Sequence, residues 1–172
     1  MKILIDGYNA MMAGSMALSN GALADDLRDS FIEKLVSYSA LKGHITTVVF
    51  DGWRHGRPLE QTNLLRGVTV VFSKKGERAD DVIKRMVSPQ GMEWVVVSSD
   101  LDVRRFCQAK GAVAIHASEF IDKMGLAPYT VMKGVLSEED ELEEVQYRKL
   151  KKRHPKKNSP AKTRYIEALK KL

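Results

Sequence analysis

Five short runs of β-branched and aliphatic residues, spaced by stretches of helical period, confine this chain to an α/β architecture. The runs cover residues 3–5, 46–50, 68–72, 94–97 and 113–115. Their near-continuous apolar character predicts parallel strands buried on both faces. Between the first two, Leu23, Leu27, Phe31, Leu35, Tyr38 and Leu41 recur every three or four residues. Ala79, Val82, Ile83 and Met86 repeat that period after the third run, and Val103, Phe106, Cys107 and Lys110 after the fourth, ending at Gly111, a helix stop. The expected fold is a three-layer α/β/α parallel sheet over residues 1–130. The pattern breaks near Gly125, and residues 131–172 form a basic, helical C-terminal extension.

Composition removes several alternatives. No apolar run approaches the ~20 residues that span a bilayer, and the N-terminal stretch Ile3, Leu4, Ile5 stops at Asp6, too short for a secretory signal. The single cysteine, Cys107, permits no internal disulfide and fits a reducing cytoplasm. Charge is divided unevenly. Residues 146–172 hold 11 Lys and Arg against one acid, Glu167, leaving 17 Lys and Arg against 21 Asp and Glu in residues 1–145. A mildly acidic body thus carries a strongly basic tail, which attracts polyanions through counterion release. Just before that tail, Ser137 and Asp140 resemble a capping box, with acids leading into Arg148, Lys149, Lys151, Lys152 and Arg153.

Ligands of open α/β sheets bind beyond the carboxyl ends of the strands, at the topological switch point. Four segments deliver acids there. The first run ends in Asp6-Gly7-Tyr8-Asn9, the second in Asp51-Gly52, and the fourth in Ser98-Ser99-Asp100-Leu101-Asp102. After the third comes a loop and then Ala79-Asp80-Asp81 at the start of a helix. One Asp before a helix is an ordinary N-cap. Several carboxylates together are costly, since two unit charges ~4 Å apart repel by ~4 kcal/mol at an effective dielectric of 20. Oxygen donors without a matching His and Cys set favour Mg²⁺ or Mn²⁺ over zinc. The four histidines, His44, His55, His116 and His154, show no ligand spacing. Arg54, Arg57, Lys74, Lys75 and Arg78 flank these acids and suit a nucleic-acid backbone. Tyr8 and Trp53 suit either core packing or stacking on an unpaired base.

Asp6-Gly7-Tyr8-Asn9, Phe50-Asp51, Gly76-Glu77-Arg78-Ala79-Asp80-Asp81 and Ser98-Ser99-Asp100-Leu101-Asp102, in this order and at these separations, resemble the motif series of NYN domains. The similarity is to the YacP-like branch of the PIN-like nuclease superfamily and spans roughly residues 1–125. It implies a PIN-like fold, a divalent metal and endoribonuclease activity. Asp6, Asp80 and Asp100 match the family's metal-binding and catalytic acids. Asn9, Asp51, Asp81, Ser99 and Asp102 fall in the same motifs as accessory groups. Which of Asp80 and Asp81 faces the site depends on one helical step of ~100°. RNA, ribosome-associated RNA included, is the expected partner, with Lys151, Lys152 and Arg153 as further contacts; the oligomeric state is left open.

The rival reading is a non-catalytic RNA- or ribosome-binding adaptor that keeps the PIN-like body as scaffold. A haloacid-dehalogenase-type phosphatase needs a second Asp two residues after the first, where this chain has Tyr8. No G-x-G-x-x-G follows the first run, which disfavours dinucleotide binding. A phosphorelay receiver leaves Asp100 and Asp102 unexplained.

Overall fold

A computed structural model of the chain describes residues 1–14, 24–52, 58–125 and 159–172. The strands are β1 (Lys2–Asp6), β2 (Ile45–Phe50), β3 (Gln61–Leu65), β4 (Val68–Phe72), β5 (Trp94–Val97) and β6 (Val113–Ile115). The helices are α1 (Gly7–Ala13), α2 (Ala24–Lys42), α3 (Ala79–Val87), α4 (Leu101–Ala109), α5 (Ala117–Lys123) and α6 (Pro160–Lys171). One sheet holds all six strands in the order β3-β4-β2-β1-β5-β6. Every pairing is parallel except β3 with β4. From β1 the chain steps to β2 and β4 on one side and then returns to β5 and β6 on the other. The switch point therefore lies between the carboxyl ends of β1 and β5.

Strand side chains alternate between faces, and two cores follow from that alternation. Ile3, Ile5, Val48, Phe50, Val70 and Val97 face α1, α2, α5 and α6, against Phe31, Leu35, Phe120 and Ile121. Leu4, Val49, Val71 and Val96 face α3 and α4, against Val82, Ile83, Val103 and Cys107. All five strands expected from the apolar runs are present, and helices packed on both faces make the expected three-layer α/β/α arrangement.

The structure adds elements that periodicity does not signal. β3 is an antiparallel edge strand whose residues are mostly exposed, so it carries no buried run to read. α1 begins at Gly7 immediately after β1, and Asp6 is its N-cap. α5 is similarly short, seven residues. α6 packs back on the body: Ala168 and Leu172 are buried with the first core, and the Tyr38 hydroxyl donates to the Leu172 carbonyl at 3.0 Å. The acidic run after Ser137 and residues Lys151, Lys152 and Arg153 lie outside the described residues. Among the described residues, no helix is long and apolar enough to cross a membrane.

Candidate active site at the carboxyl edge of the sheet

The same alternation that builds the cores aims the acids. Leu4 faces α3 and α4, so Asp6, two residues on, does too. Val49 sends Asp51 to that side, and Val96 sends Ser98. Three neighbouring strand ends therefore point polar groups toward the N-termini of α3 and α4, where Asp80 and Asp100 sit.

Asp6 is the most enclosed of them, only 3% exposed. Its carboxylate accepts the Asn9 backbone N–H at 3.3 Å, the Asn9 side-chain amide, and the Ser98 hydroxyl at 3.2 Å. Burial nevertheless pushes its pKa up to about 6, and the charge of Asp80 adds to the rise while the hydrogen bonds from Asn9 and Ser98 oppose it. The buried Ser98 hydroxyl also accepts the Asp100 backbone N–H at 3.1 Å, so one side chain ties the ends of β1 and β5 together.

Asp80 and Asp81 divide their work. Asp81 is exposed and accepts the Arg78 backbone N–H at 3.4 Å, closing the first turn of α3. The Asp80 side chain is 14% exposed and pairs with the Arg78 guanidinium at 2.8 Å. Desolvation raises the Asp80 pKa; Arg78 and Lys84 oppose the rise, and Asp100 and Asp51 reinforce it. The helical step left open by the sequence is thus resolved locally: the third helical residue caps, and the second turns toward the other acids.

Asp51 and Asp100 are engaged with backbone. Asp51 accepts the Ala79 N–H at 2.6 Å. Asp100 caps α4, accepting from Asp102 at 2.7 Å and Val103 at 3.1 Å, and these bonds hold its pKa below the usual carboxylate range. Ser99 is half-buried beside it, and Asp102 is exposed on α4. Lys74, Lys75 and Arg78 are exposed on the loop before α3. Trp53, Arg54, His55 and Arg57 lie outside the described residues.

Two glycines at this edge are explained by packing. A Cβ on Gly7 would fall 2.3 Å from the Phe50 ring, and one on Gly52 would fall 1.8 Å from the Ser73 carbonyl oxygen. Tyr8 stands edge-on to Phe50 at 5.2 Å. Of the histidines, His116 caps α5 and His44 contacts the Lys171 carbonyl at 3.1 Å.

The donor chemistry suits a hard divalent cation, since the converging groups are carboxylates that raise one another's pKa. Among the described residues, however, no three His, Cys, Asp or Glu side chains are drawn together as a direct ligand set. Asp100 and Asp51 are turned to helix N–H groups instead. That arrangement fits an ion held largely through water, as Mg²⁺ commonly is. Asp6 and Asp80, with Asp100 close enough to act on the Asp80 charge, are the groups that could hold one.

Comparisons with known proteins show the family and the fold. The family model of the YacP-like NYN domain matches residues 3–171, beyond the 1–125 over which the motifs are legible. The crystal structure of Rae1 (YacP) from Bacillus subtilis is similar at 24% identity, over 88% of this chain and 85% of that one, with a TM-score of 0.57. A crystal structure of a tryptophan-to-leucine mutant of Rae1 (YacP) from Bacillus subtilis is similar at 23% identity, over 99% of this chain and 90% of that one, with a TM-score of 0.59. Such identities speak for a shared fold. The search of curated proteins gives no match.

Proposed function

The chain belongs to the family of YacP-like NYN domains, and on that premise we propose that it is a divalent-metal-dependent endoribonuclease that hydrolyses RNA phosphodiester bonds in the cytoplasm. The observation that carries this reading is the coupling of Asp6 and Asp80 at the switch point of the sheet, where burial and like charge hold Asp6 near pKa 6. Two acids so placed are expensive to the fold unless a positive charge joins them.

Asp6, Asp80 and Asp100 are the proposed catalytic and metal-holding residues. Mg²⁺ or Mn²⁺, when bound, supplies an activated water and offsets charge on the phosphodiester. Asp6 is oriented for this by three donors from Asn9 and Ser98. Asp51 sets the position of Asp80 by holding the first residue of α3. Arg78, exposed and paired with Asp80, is positioned to exchange that carboxylate for a substrate phosphate, with Lys74 and Lys75 beside it on the same loop. Asp81 acts by closing the first turn of α3.

The test is cleavage of single-stranded RNA by the purified chain with Mg²⁺ or Mn²⁺. Asp6→Asn and Asp80→Asn should each lower the rate about 100-fold, the scale of losing one electrostatic contributor to a transition state. If both variants cleave as fast as the wild type, the proposal is wrong. If the wild type binds RNA without cutting it under any divalent ion, the chain is an adaptor on a PIN-like scaffold.

A further inference from the structure

The carboxyl edge of the sheet has a second side. Phe50 and Phe72 alternate to the face opposite the acids, toward α2. There a cavity of about 170 Å³ opens between the edge strand and α2, lined by Arg28, Gly52, Gln61, Asn63, Phe72 and Ser73. Gln61 lies directly across from Phe72, and Asn63 across from Val70. Two-residue alternation along β3 therefore brings both amides to the cavity side.

We propose that this cavity is a nucleobase pocket, taking the base of a nucleotide that flanks the cleaved bond. The inference rests on the nuclease reading for its orientation toward a scissile phosphate, while the pocket's chemistry stands separately. Three observations select a base over a phosphate. The Arg28 side chain is 12% exposed and ion-paired to Asp25 at 2.8 Å and Asp29 at 3.0 Å, so its charge is already balanced. Its guanidinium lies over the Phe72 ring at 5.4 Å, and Phe72 stacks on Phe50 at 5.8 Å, which builds a flat layered floor. Arginine planes and aromatic rings of this kind are platforms for unstacked bases. Finally, an amide carries both donors and acceptors, matching the mixed edge of a base rather than the acceptor-only surface of a phosphate.

Position supports the same assignment. Gly52 follows Asp51, and its backbone N–H is held by the Ser73 hydroxyl at 3.0 Å, so the pocket rim is continuous with the acid-bearing strand end. β4 lies two strands from β1, about 10 Å at the usual strand spacing. One RNA strand crossing the edge thus meets the acids and the pocket with neighbouring nucleotides. Tyr8, Phe50, Phe72 and Arg28 form a contact series along the face opposite the acids, from the end of β1 to the cavity.

The experiment uses short single-stranded RNA oligonucleotides in which one nucleotide at a time is made abasic. Cleavage is read with Mn²⁺, and binding is read in metal-free buffer. Wild type should prefer the intact strand about tenfold at one position beside the cut, the scale of one stacked base. In the Gln61→Ala/Asn63→Ala double variant that ratio should shrink toward one. A Gln61→Glu/Asn63→Asp variant, which keeps shape but removes amide donors, should change which base is preferred. A ratio near one at every position in the wild type overturns the pocket, as does a preference untouched by both variants. If nothing is cleaved but the binding preference exists and responds to the variants, the nuclease reading fails and the pocket stands.

Discussion

Asp51 accepts the backbone N–H of Ala79 at 2.6 Å, which fastens the end of β2 to the first residue of α3. The helix that carries Asp80 is thereby anchored to the strand beside the one that carries Asp6. The accessory carboxylate of the second strand end thus fixes where the helix bearing a neighbouring acid begins.

Substitution at Asp51 separates that anchoring from charge. Asp51→Ala leaves a helix N–H unpaired and should cost about 1–2 kcal/mol, read from the denaturation midpoint. Asp51→Asn keeps an oxygen for Ala79 and should recover most of that loss. Equal stability of the Ala variant and wild type would remove the anchor from the account.

Stability in metal-free buffer should depend on pH between about 4 and 6. The Asp6 carboxyl, 3.8 ordinarily and about 6 when folded, is favoured in its neutral form by the folded chain. Its contribution is fully present below the lower value and is lost as pH rises through the upper one. The difference amounts to about 3 kcal/mol. Melting temperature against pH should therefore fall more steeply across this window for wild type than for Asp6→Asn, and Mg²⁺ or Mn²⁺ should restore wild type above pH 6. Parallel profiles for the two proteins would contradict the assigned cause.

Ser98→Ala removes a hydroxyl with two partners, Asp6 and the Asp100 N–H. We expect a loss of about 1–2 kcal/mol and a further rise of the Asp6 pKa, because a donor that lowers it is gone. The pH profile should move upward with it. A destabilised variant whose profile stays in place would mean that the hydroxyl merely fills space.

The basic tail is best tested without cutting it off. Removing α6 would strip Ala168 and Leu172 from the core and break the bond from Tyr38, so truncation confounds RNA binding with folding. Replacing Lys151, Lys152 and Arg153 together by Ala should flatten the dependence of log affinity on log salt by about 2, since each neutralised phosphate of a single strand accounts for ~0.7 of the slope. An unchanged slope would leave those cations without a phosphate role. Tyr38→Phe, by contrast, should lower stability by about 1 kcal/mol and leave the salt slope alone.

The five parallel strands are legible in the sequence because each is largely buried, which forces runs such as Val95, Val96 and Val97. β3 is not, since Gln61–Leu65 sits at the edge and shows no buried face. α1 escapes periodicity because it is only seven residues long and starts on a glycine. At the site, the switch-point rule and the acids at strand ends are enough to gather Asp6, Asp51, Asp80 and Asp100 at one edge. What each carboxylate does there depends on hydrogen bonds to particular N–H groups, and those follow from helix starts one or two residues apart. Ser98 shows the limit most clearly. The motif points to Ser99 as the accessory hydroxyl, but strand alternation gives Ser98 the place between Asp6 and Asp100.

Cys107 lies fully buried on α4, with its thiol pushed up to about 11 by the surrounding apolar side chains. As the chain's sole sulfhydryl, it is shielded from alkylating reagents for as long as α4 stays seated on the sheet. Its labelling rate is therefore a built-in clock for the detachment of the helix that Asp100 caps, readable by mass spectrometry without any engineered probe.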